Sequence, residues 1–343
     1  MAPRVHREIR LKRRPVGIPT EADFEIAETP VPEPSEGEVL VRNIYMSVDP
    51  YMRGRMIERK SYMPPFELGK PLEGGCVGQV VESRQGKLSV GQYVLGMQGW
   101  REYYVSDGSG LMPVQPAGAP VRAYLGVLGM PGLTAYVGLL DIGKPEAGNT
   151  IFVAAAAGAV GSVVCQIGKI RGCRVVGSAG SDEKVRWLLE EARVDAAFNY
   201  KAVGSLTQEL ERRCPDGVDV YFENVGGEHL EAALDNMKQH GRIVLCGMIS
   251  RYNSAQPAPG PWNLFQAVAK RLTLRGFLVG DHLGRVGSFA SDMGRWIAEG
   301  KVRWRETIVD GIENAPAAFI GLFKGENIGK MLVRIGPEPG GCP

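Results

Sequence analysis

No two of the six cysteines stand in a Cys-x-x-Cys pair, and the four histidines are isolated from one another. That spacing offers no zinc-ribbon ligand set and no disulfide framework, so reduced thiols in a cytoplasmic protein are expected. Cys342 is penultimate and makes no prenylation box. Excess charge of one sign is missing too, with 40 Lys and Arg against 38 Asp and Glu, a net charge of +2. Neither nucleic acid nor a membrane surface is an expected partner on that balance. Arg4, Arg7, Glu8 and Arg10 put charge where a secretory signal needs an apolar run. The most apolar stretch, 151–167, is interrupted by Ser162 and Gln166, and reads as a buried strand running into a buried helix rather than a bilayer span.

What the chain has in excess is glycine. It holds 46 among 343 residues, about twice the usual ~7 %. No period of three exists, which excludes collagen, and 44 % hydrophobic residues exclude wholesale disorder. The glycines must serve local backbone geometry, so their positions matter.

Two patterns divide the chain. Up to about residue 128, short β-rich runs alternate with Gly and Pro: Glu38–Arg42, Gly78–Glu82, Gln92–Leu95 and Glu102–Val105. They read as a compact, barrel-like all-β unit. From about 131, apolar strands are expected at Thr150–Ala155, Cys173–Ser178, Ala196–Tyr200, Val218–Glu223, Arg242–Cys246 and Leu272–Leu278. Helices are expected at Gly161–Arg171, Asp182–Ala192, Leu206–Arg213, His229–Met237 and Trp262–Ala269. Such alternation predicts an α/β domain with a parallel sheet covered on both faces. A helix and a strand within Glu313–Ile335 are expected to return to the first domain.

The strongest local signal is Ala156-Ala157-Gly158-Ala159-Val160-Gly161, between a strand and a helix. It is the dinucleotide fingerprint G-x-G-x-x-G with Ala at the first position. Gly158 would let the backbone approach a pyrophosphate held at the helix N-terminus, and Gly161 would let helix and strand pack closely. About 20 residues on, an NAD site carries an acid for the ribose 2′-hydroxyl. Here the segment is Gly177-Ser178-Ala179-Gly180, with Lys184 following, so a 2′-phosphate and NADP(H) are expected. Asp182 and Glu183 read as N-terminal capping residues of the next helix.

A β-domain ahead of a nucleotide domain is the layout of medium-chain dehydrogenases. The chain resembles their zinc-independent branch, the prostaglandin reductase and alkenal (curcumin-type) double-bond reductase family, over almost its whole length. The matching segments are Met46–Arg53 (MSVDPYMR), Gly129–Tyr136 (GMPGLTAY), the glycine turn, Ser181–Lys184, Phe198–Lys201, Glu223–Gly227 (ENVGG) and Gly325–Lys330 (GENIGK). Zinc relatives carry a Cys near Asn43–Asp49 and then Gly-His-Glu; this chain has neither, reading Leu72-Glu73-Gly74 at the second position. A tetrahedral thiolate–imidazole set is therefore not expected.

The resemblance implies a Rossmann doubly wound sheet over 129–312 and a GroES-like β-barrel-type domain from 1–128 with 313–343. It implies a cytoplasmic, homodimeric, NADPH-dependent reductase of the carbon–carbon double bond in α,β-unsaturated aldehydes and ketones, a class that takes in 2-alkenals, enones and 15-oxo-prostaglandin-like substrates. Quinone reduction, or a non-catalytic crystallin-like role, is the alternative. Hydride addition to an enone makes an enolate, which needs a hydrogen-bond donor at the carbonyl oxygen. By resemblance that donor is Tyr252, with Tyr51 facing the substrate and Asn43 and Thr134 near the nicotinamide. Lys184, Tyr200 and Asn327 match positions around the 2′-phosphate and adjoining phosphates, and Asn224 the adenine-side ribose. Cys246, Gly247, Met248, Ile249, Ser250, Arg251 and Tyr252 would follow the nicotinamide ribose, while Phe277, Leu278 and Val279 would offer backbone groups to the carboxamide.

Hydrolysis by a Ser/His/Asp set lacks its Gly-x-Ser-x-Gly elbow. Trp296 and Trp304, beside Arg295, Arg303 and Arg305, read as a solvated helix face rather than an RNA-stacking surface.

Overall fold

The computed structural model describes residues 4–116 and 118–338; Cys342 lies outside them. In chain order the strands of the leading segment are β1 (Val5–Leu11), β2 (Phe24–Pro30), β3 (Val39–Ser47), β4 (Cys76–Ser83), β5 (Tyr93–Gly96), β6 (Tyr103–Ser106) and β7 (Met112–Val114). The alternating segment supplies β8 (Thr150–Val153), β9 (Arg174–Ala179), β10 (Ala196–Asn199), β11 (Val218–Glu223), β12 (Met237–Leu245) and β13 (Thr273–Gly276). Then come β14 (Glu306–Asp310) and β15 (Lys330–Arg334). The helices are α1 (Met52–Arg55), α2 (Met130–Val137), α3 (Gly161–Ile170), α4 (Asp182–Glu190), α5 (Leu206–Arg213), α6 (Glu228–Asn236), α7 (Gln266–Ala269), α8 (Val286–Ala298) and α9 (Ala315–Lys324).

Two compact units result, one from 1–125 with 306–343 and the other from 126–305. In the first, a sheet of order β14-β15-β3-β4-β5-β7, with β6 also on β3, is antiparallel apart from the β14–β15 pair. A separate hairpin pairs β1 with β2 from Val5↔Pro30 to Leu11↔Phe24. The C-terminal segment belongs here for a packing reason. Phe319 of α9 meets the stacked pair Phe24 and Trp100 edge-on, at 6.3 and 6.1 Å, burying one aromatic cluster.

The second unit holds a six-stranded sheet of order β10-β9-β8-β11-β12-β13, every pairing parallel. Its inner strands are apolar because helices cover both faces; all four residues of β8 are buried. Phe152 of β8 stacks on Tyr221 of β11 at 5.0 Å and Phe198 of β10 at 6.2 Å. Going outward from β8, the chain order reverses between β8 and β11. In an open parallel sheet the crevice at the carboxyl ends of such a pair is where ligands bind.

Three expectations need correction. Only Gln266–Ala269 of the expected helix Trp262–Ala269 is α-helical, because the preceding amides bond three residues back, as Gln266 N does to Asn263 O at 2.9 Å. Trp296 is not on a solvated face: α8 buries it to 5 % exposure, its ring 6.1 Å from Tyr136. The cap of α4 is Ser181, whose hydroxyl accepts the Lys184 amide at 3.4 Å, while Asp182 and Glu183 occupy its first turn. Among the described residues no helix is long and apolar enough to cross a membrane.

Candidate functional site

The turn after β8 is tied to both neighbouring strands. Ala154 N donates to Phe222 O at 3.2 Å and Ala156 N to Ser178 O at 2.9 Å. Between them Ala155 adopts φ +49°, a left-handed conformation that costs an L-residue about 1 kcal/mol. The fingerprint's first position, Ala156, is thus not the strained one; its neighbour is. At Gly161, where α3 begins, a Cβ would lie 2.4 Å from Ala155 O and 2.9 Å from Ala156 Cα, so only glycine fits. Gly158 differs. Its Cβ would meet only Ala155 O, at 3.2 Å, and its φ is not left-handed. The protein's own packing nearly tolerates a side chain there, which leaves close approach of a ligand as the reason for glycine. Among the described residues the amides of Ala159, Val160 and Gly161 donate to no backbone carbonyl outside regular structure. Ala159 and Val160 are partly exposed and Gly161 is buried; amides left over at a helix start suit an anion.

At the carboxyl end of β9, Gly177 packs against the turn, where its Cβ would be 2.8 Å from that of Ala156. Three residues on, Tyr200 folds back so that its hydroxyl would be 3.2 Å from a Cβ on Gly180. Behind it stands His229, buried to 4 %, its ring edge-on to Tyr200 at 4.8 Å and its Nε2 paired with Ser178 Oγ at 3.1 Å. Burial drives His229 down to about 4, so the imidazole is neutral at pH 7. Lys184 stands in the first turn of α4, which follows that strand end directly. Its ammonium is disfavoured by burial and then by the charge of Lys201. No acid stands at the ribose position: Asp182 accepts from Asn199 Nδ2 at 2.9 Å, and Glu183 pairs with Arg305 at 3.9 Å.

Across the crevice, Asn224 Nδ2 donates to Ala154 O at 2.8 Å, joining the ends of β11 and β8. Glu223 is wholly buried; its Oε1 accepts the Gly226 amide at 2.9 Å and the Val225 amide at 2.5 Å, and burial raises its carboxyl above the usual range. Its carbonyl accepts from Cys246 N at 3.0 Å and Gly247 N at 3.1 Å. Burial pushes the Cys246 thiol up to about 12, so the sulfur is an inert packing group and the backbone is what it offers. Ile249 N and Ser250 N then bond to Asn224 O and Val225 O at 3.1 and 3.0 Å, zipping the loop after β12 onto the loop after β11. In that loop the Tyr252 hydroxyl oxygen accepts the Met248 amide at 3.2 Å. Phe277 follows β13 and packs towards Gly138, where a Cβ would be 2.7 Å from its ring; Leu278 is exposed and Val279 half-buried.

The expected residues 158–161, 184, 200, 224, 246–252 and 277–279 thus gather along one edge of the parallel sheet. Tyr51 and Asn327 belong to the first unit. Tyr51 is partly buried against that unit's core, its phenol raised first by burial and then by Asp49. Asn327 Nδ2 donates to Gly329 O at 2.7 Å. Asn43 and Thr134 each donate within their own unit. The Asn43 amide, fully buried, donates to Gln98 O and Arg101 O, and Thr134 Oγ1 donates back to Met130 O. Lys201 beside Tyr200 escaped the sequence reading, although the pair is adjacent in the chain.

At the position of the zinc relatives' Gly-His-Glu, Glu73 pairs with Arg55 at 2.9 Å. Among the described residues no three or more His, Cys, Asp or Glu are grouped to hold a metal ion. The glycine turn, the leftover amides and the lysine at an acid-free strand end together fit a dinucleotide carrying a 2′-phosphate.

Comparison with known proteins agrees. Residues 7–114 match a family described as the N-terminal domain of oxidoreductase, and 159–298 one described as zinc-binding dehydrogenase. The chain is 45 % identical to the NADPH-dependent curcumin reductase of Escherichia coli, over 95 % of each. It is 44 % identical to the NADP(+)-dependent 2-alkenal reductase of Nicotiana tabacum, over 97 % of this chain and 98 % of that one. The crystal structure of CurA from Vibrio vulnificus in complex with NADPH superposes with a TM-score of 0.92, at 45 % identity, covering 96 % of this chain and 99 % of that one. The chain therefore belongs to the medium-chain dehydrogenase/reductase family, in its prostaglandin, curcumin and alkenal reductase branch, and is an NADP(H)-dependent oxidoreductase.

Proposed function

We propose that the protein is a cytoplasmic reductase of the carbon–carbon double bond in α,β-unsaturated aldehydes and ketones. The observation that carries this reading is the position of Tyr252: a phenol held by the Met248 amide at the carboxyl end of β12, beside the crevice. The curcumin and alkenal reductase relatives point to the same substrate class. NADPH, when bound, supplies hydride to the β-carbon of the substrate. Ala159, Val160 and Gly161 hold the pyrophosphate through their amides, Lys184 and Tyr200 flank the 2′-phosphate, and Asn224 lies at the adenine-side ribose. The backbone from Cys246 to Arg251 carries the nicotinamide ribose, and that of Phe277, Leu278 and Val279 meets the carboxamide. Tyr252 donates a hydrogen bond to the carbonyl oxygen as negative charge develops there, stabilising the enolate. Tyr51 faces the substrate and Asn327 completes the phosphate side, both on the strength of their motif matches. Tyr252→Phe tests the assignment: a fall in kcat of about 100-fold on enones, with NADPH affinity kept, is expected from loss of one such donor. Full activity on enones would overturn the role of Tyr252.

We infer also that the protein assembles as a homodimer through the β13 side of the sheet. β13 is an edge strand, and the adjoining segments expose Trp262 (79 %), Phe265 (74 %) and Val268 (69 %). An unpaired edge flanked by large apolar side chains invites a second copy. Light scattering on the protein and its Phe265→Glu variant checks this, with a dimer that becomes a monomer as the expected result and a wild-type monomer as the contrary one.

A further inference from the structure

Lys201 follows β10 directly, and its amide donates to Asn199 Oδ1 at 3.1 Å. Its side chain does not project straight into solvent. Lys201 Cε would be 3.4 Å from a Cβ on Gly180, so the chain runs back across the end of β9, beside the Tyr200 hydroxyl on the same glycine. The ammonium is one bond further on. Lys184 stands in the first turn of α4, near enough that the charge of Lys201 disfavours its ammonium.

Like charges held near each other cost free energy unless an anion joins them. Lys201 has no ion-pair partner among the described residues; of the nearby carboxylates, Asp182 accepts from Asn199, and Glu183, 3.9 Å from Arg305, offsets only part of the charge on Lys184. Because residue 180 is glycine, the Tyr200 hydroxyl and Lys201 Cε can both lie over the end of β9, 3.2 and 3.4 Å from where a Cβ would stand. The arrangement suits a compact dianion better than the neutral diol edge of an unphosphorylated ribose.

We propose that Lys201 is a second cation of the adenosine 2′-phosphate site and shares with Lys184 the preference for NADPH over NADH. The proposal rests on the reading that places that phosphate at Lys184. Its geometry is asymmetric: Lys184 is half-buried on a helix, whereas Lys201 closes the site from the solvent side. Lys201 therefore acts as an exposed charge whose contribution weakens as salt rises, because exposed charges are screened over about 10 Å at 0.1 M.

Titration calorimetry with 2′,5′-ADP and 5′-AMP, which differ only in the 2′-phosphate, reads this site without turnover. Lys201→Gln is expected to weaken 2′,5′-ADP about tenfold while leaving 5′-AMP within about twofold. Lys201→Arg should keep most of the 2′,5′-ADP affinity. Lys184→Gln separates the two readings. If it selectively weakens 2′,5′-ADP and Lys201→Gln does not, the role of Lys201 is overturned and the phosphate site stands. If neither substitution discriminates between the nucleotides, both fall. Equal weakening of both nucleotides by Lys201→Gln would make the residue a brace for Tyr200 and also overturn the proposal. Lys201 is exposed, so these variants should fold as the parent does.

Discussion

Two glycines three residues apart in the turn after β8 should respond in opposite ways to the same added methyl group. At Gly161 the methyl would be 2.4 Å from Ala155 O and 2.9 Å from Ala156 Cα, both backbone atoms that cannot swing aside. Moving the start of α3 away from the turn is overpacking, which costs about 1–3 kcal/mol. At Gly158 the single close atom is Ala155 O at 3.2 Å, and the backbone conformation is one alanine adopts. A shift of a few tenths of an ångström suffices. The loss is partly offset by the ~0.4–1 kcal/mol gained from a stiffer unfolded chain, so Gly158→Ala should change stability by less than about 1 kcal/mol. That methyl, however, stands where the pyrophosphate must approach the backbone, and the Kd for NADPH should rise at least ~tenfold, about 1.4 kcal/mol. The assay is paired: thermal unfolding without nucleotide, then a fluorescence titration with NADPH. The reasoning fails if Gly158→Ala lowers stability by more than about 2 kcal/mol while NADPH binding is unchanged. Glycine would then be required there by packing.

Three more outcomes follow from the same structure. Ala155→Gly removes the left-handed strain at φ +49° and should stabilise the nucleotide-binding unit by up to about 1 kcal/mol, seen as a raised Tm. His229 lies below its ordinary 6.5, at about 4, so below pH 6.5 the unfolded chain takes up a proton that the folded one refuses. Its share of stability is present above 6.5 and is lost at about 1.4 kcal/mol per pH unit down to about 4. Denaturation across that window should show a shallower loss in His229→Gln, and parallel profiles would refute the buried neutral imidazole. Lys330 Nζ donates to Val48 O and Met331 O, both at 2.8 Å, and lies 3.2 Å from Asp49 Oδ1. Lys330→Met would strand that buried carboxylate at a cost of about 3–5 kcal/mol, and adding Asp49→Asn should recover most of it. A double variant no more stable than the single one would show that the pair is not coupled.

Legibility in the sequence followed local chemistry. Val218–Glu223 and Leu206–Arg213 were readable to their ends, because an apolar run and a Ser-capped amphipathic repeat each carry their own boundaries. The hairpin of β1 and β2 was hidden, since its charged outward residues, such as Arg7 and Glu28, break the apolar signal. In α8, Gly287 and Gly294 dilute the helical pattern that tertiary packing of Phe289, Met293 and Trp296 enforces. In β14, Glu306 and Asp310 bracket only three uncharged residues, and pairing with β15 alone makes them a strand. At the site, the glycine turn and the acid-free end of β9 were visible as motifs. The strain at Ala155, the brace of Ser178 and His229 behind Tyr200, and the approach of Lys201 were not. Each depends on which strands lie side by side, a property of the sheet order rather than of spacing along the chain.

The central claim is that NADPH reduces a carbon–carbon double bond here, leaving the carbonyl intact. The most direct measurement is analysis of the product formed from a simple enone and NADPH deuterated at the transferable position. The account predicts the saturated ketone with deuterium on the β-carbon. An allylic alcohol with deuterium on the carbonyl carbon, or no consumption of the enone despite NADPH binding, would contradict it.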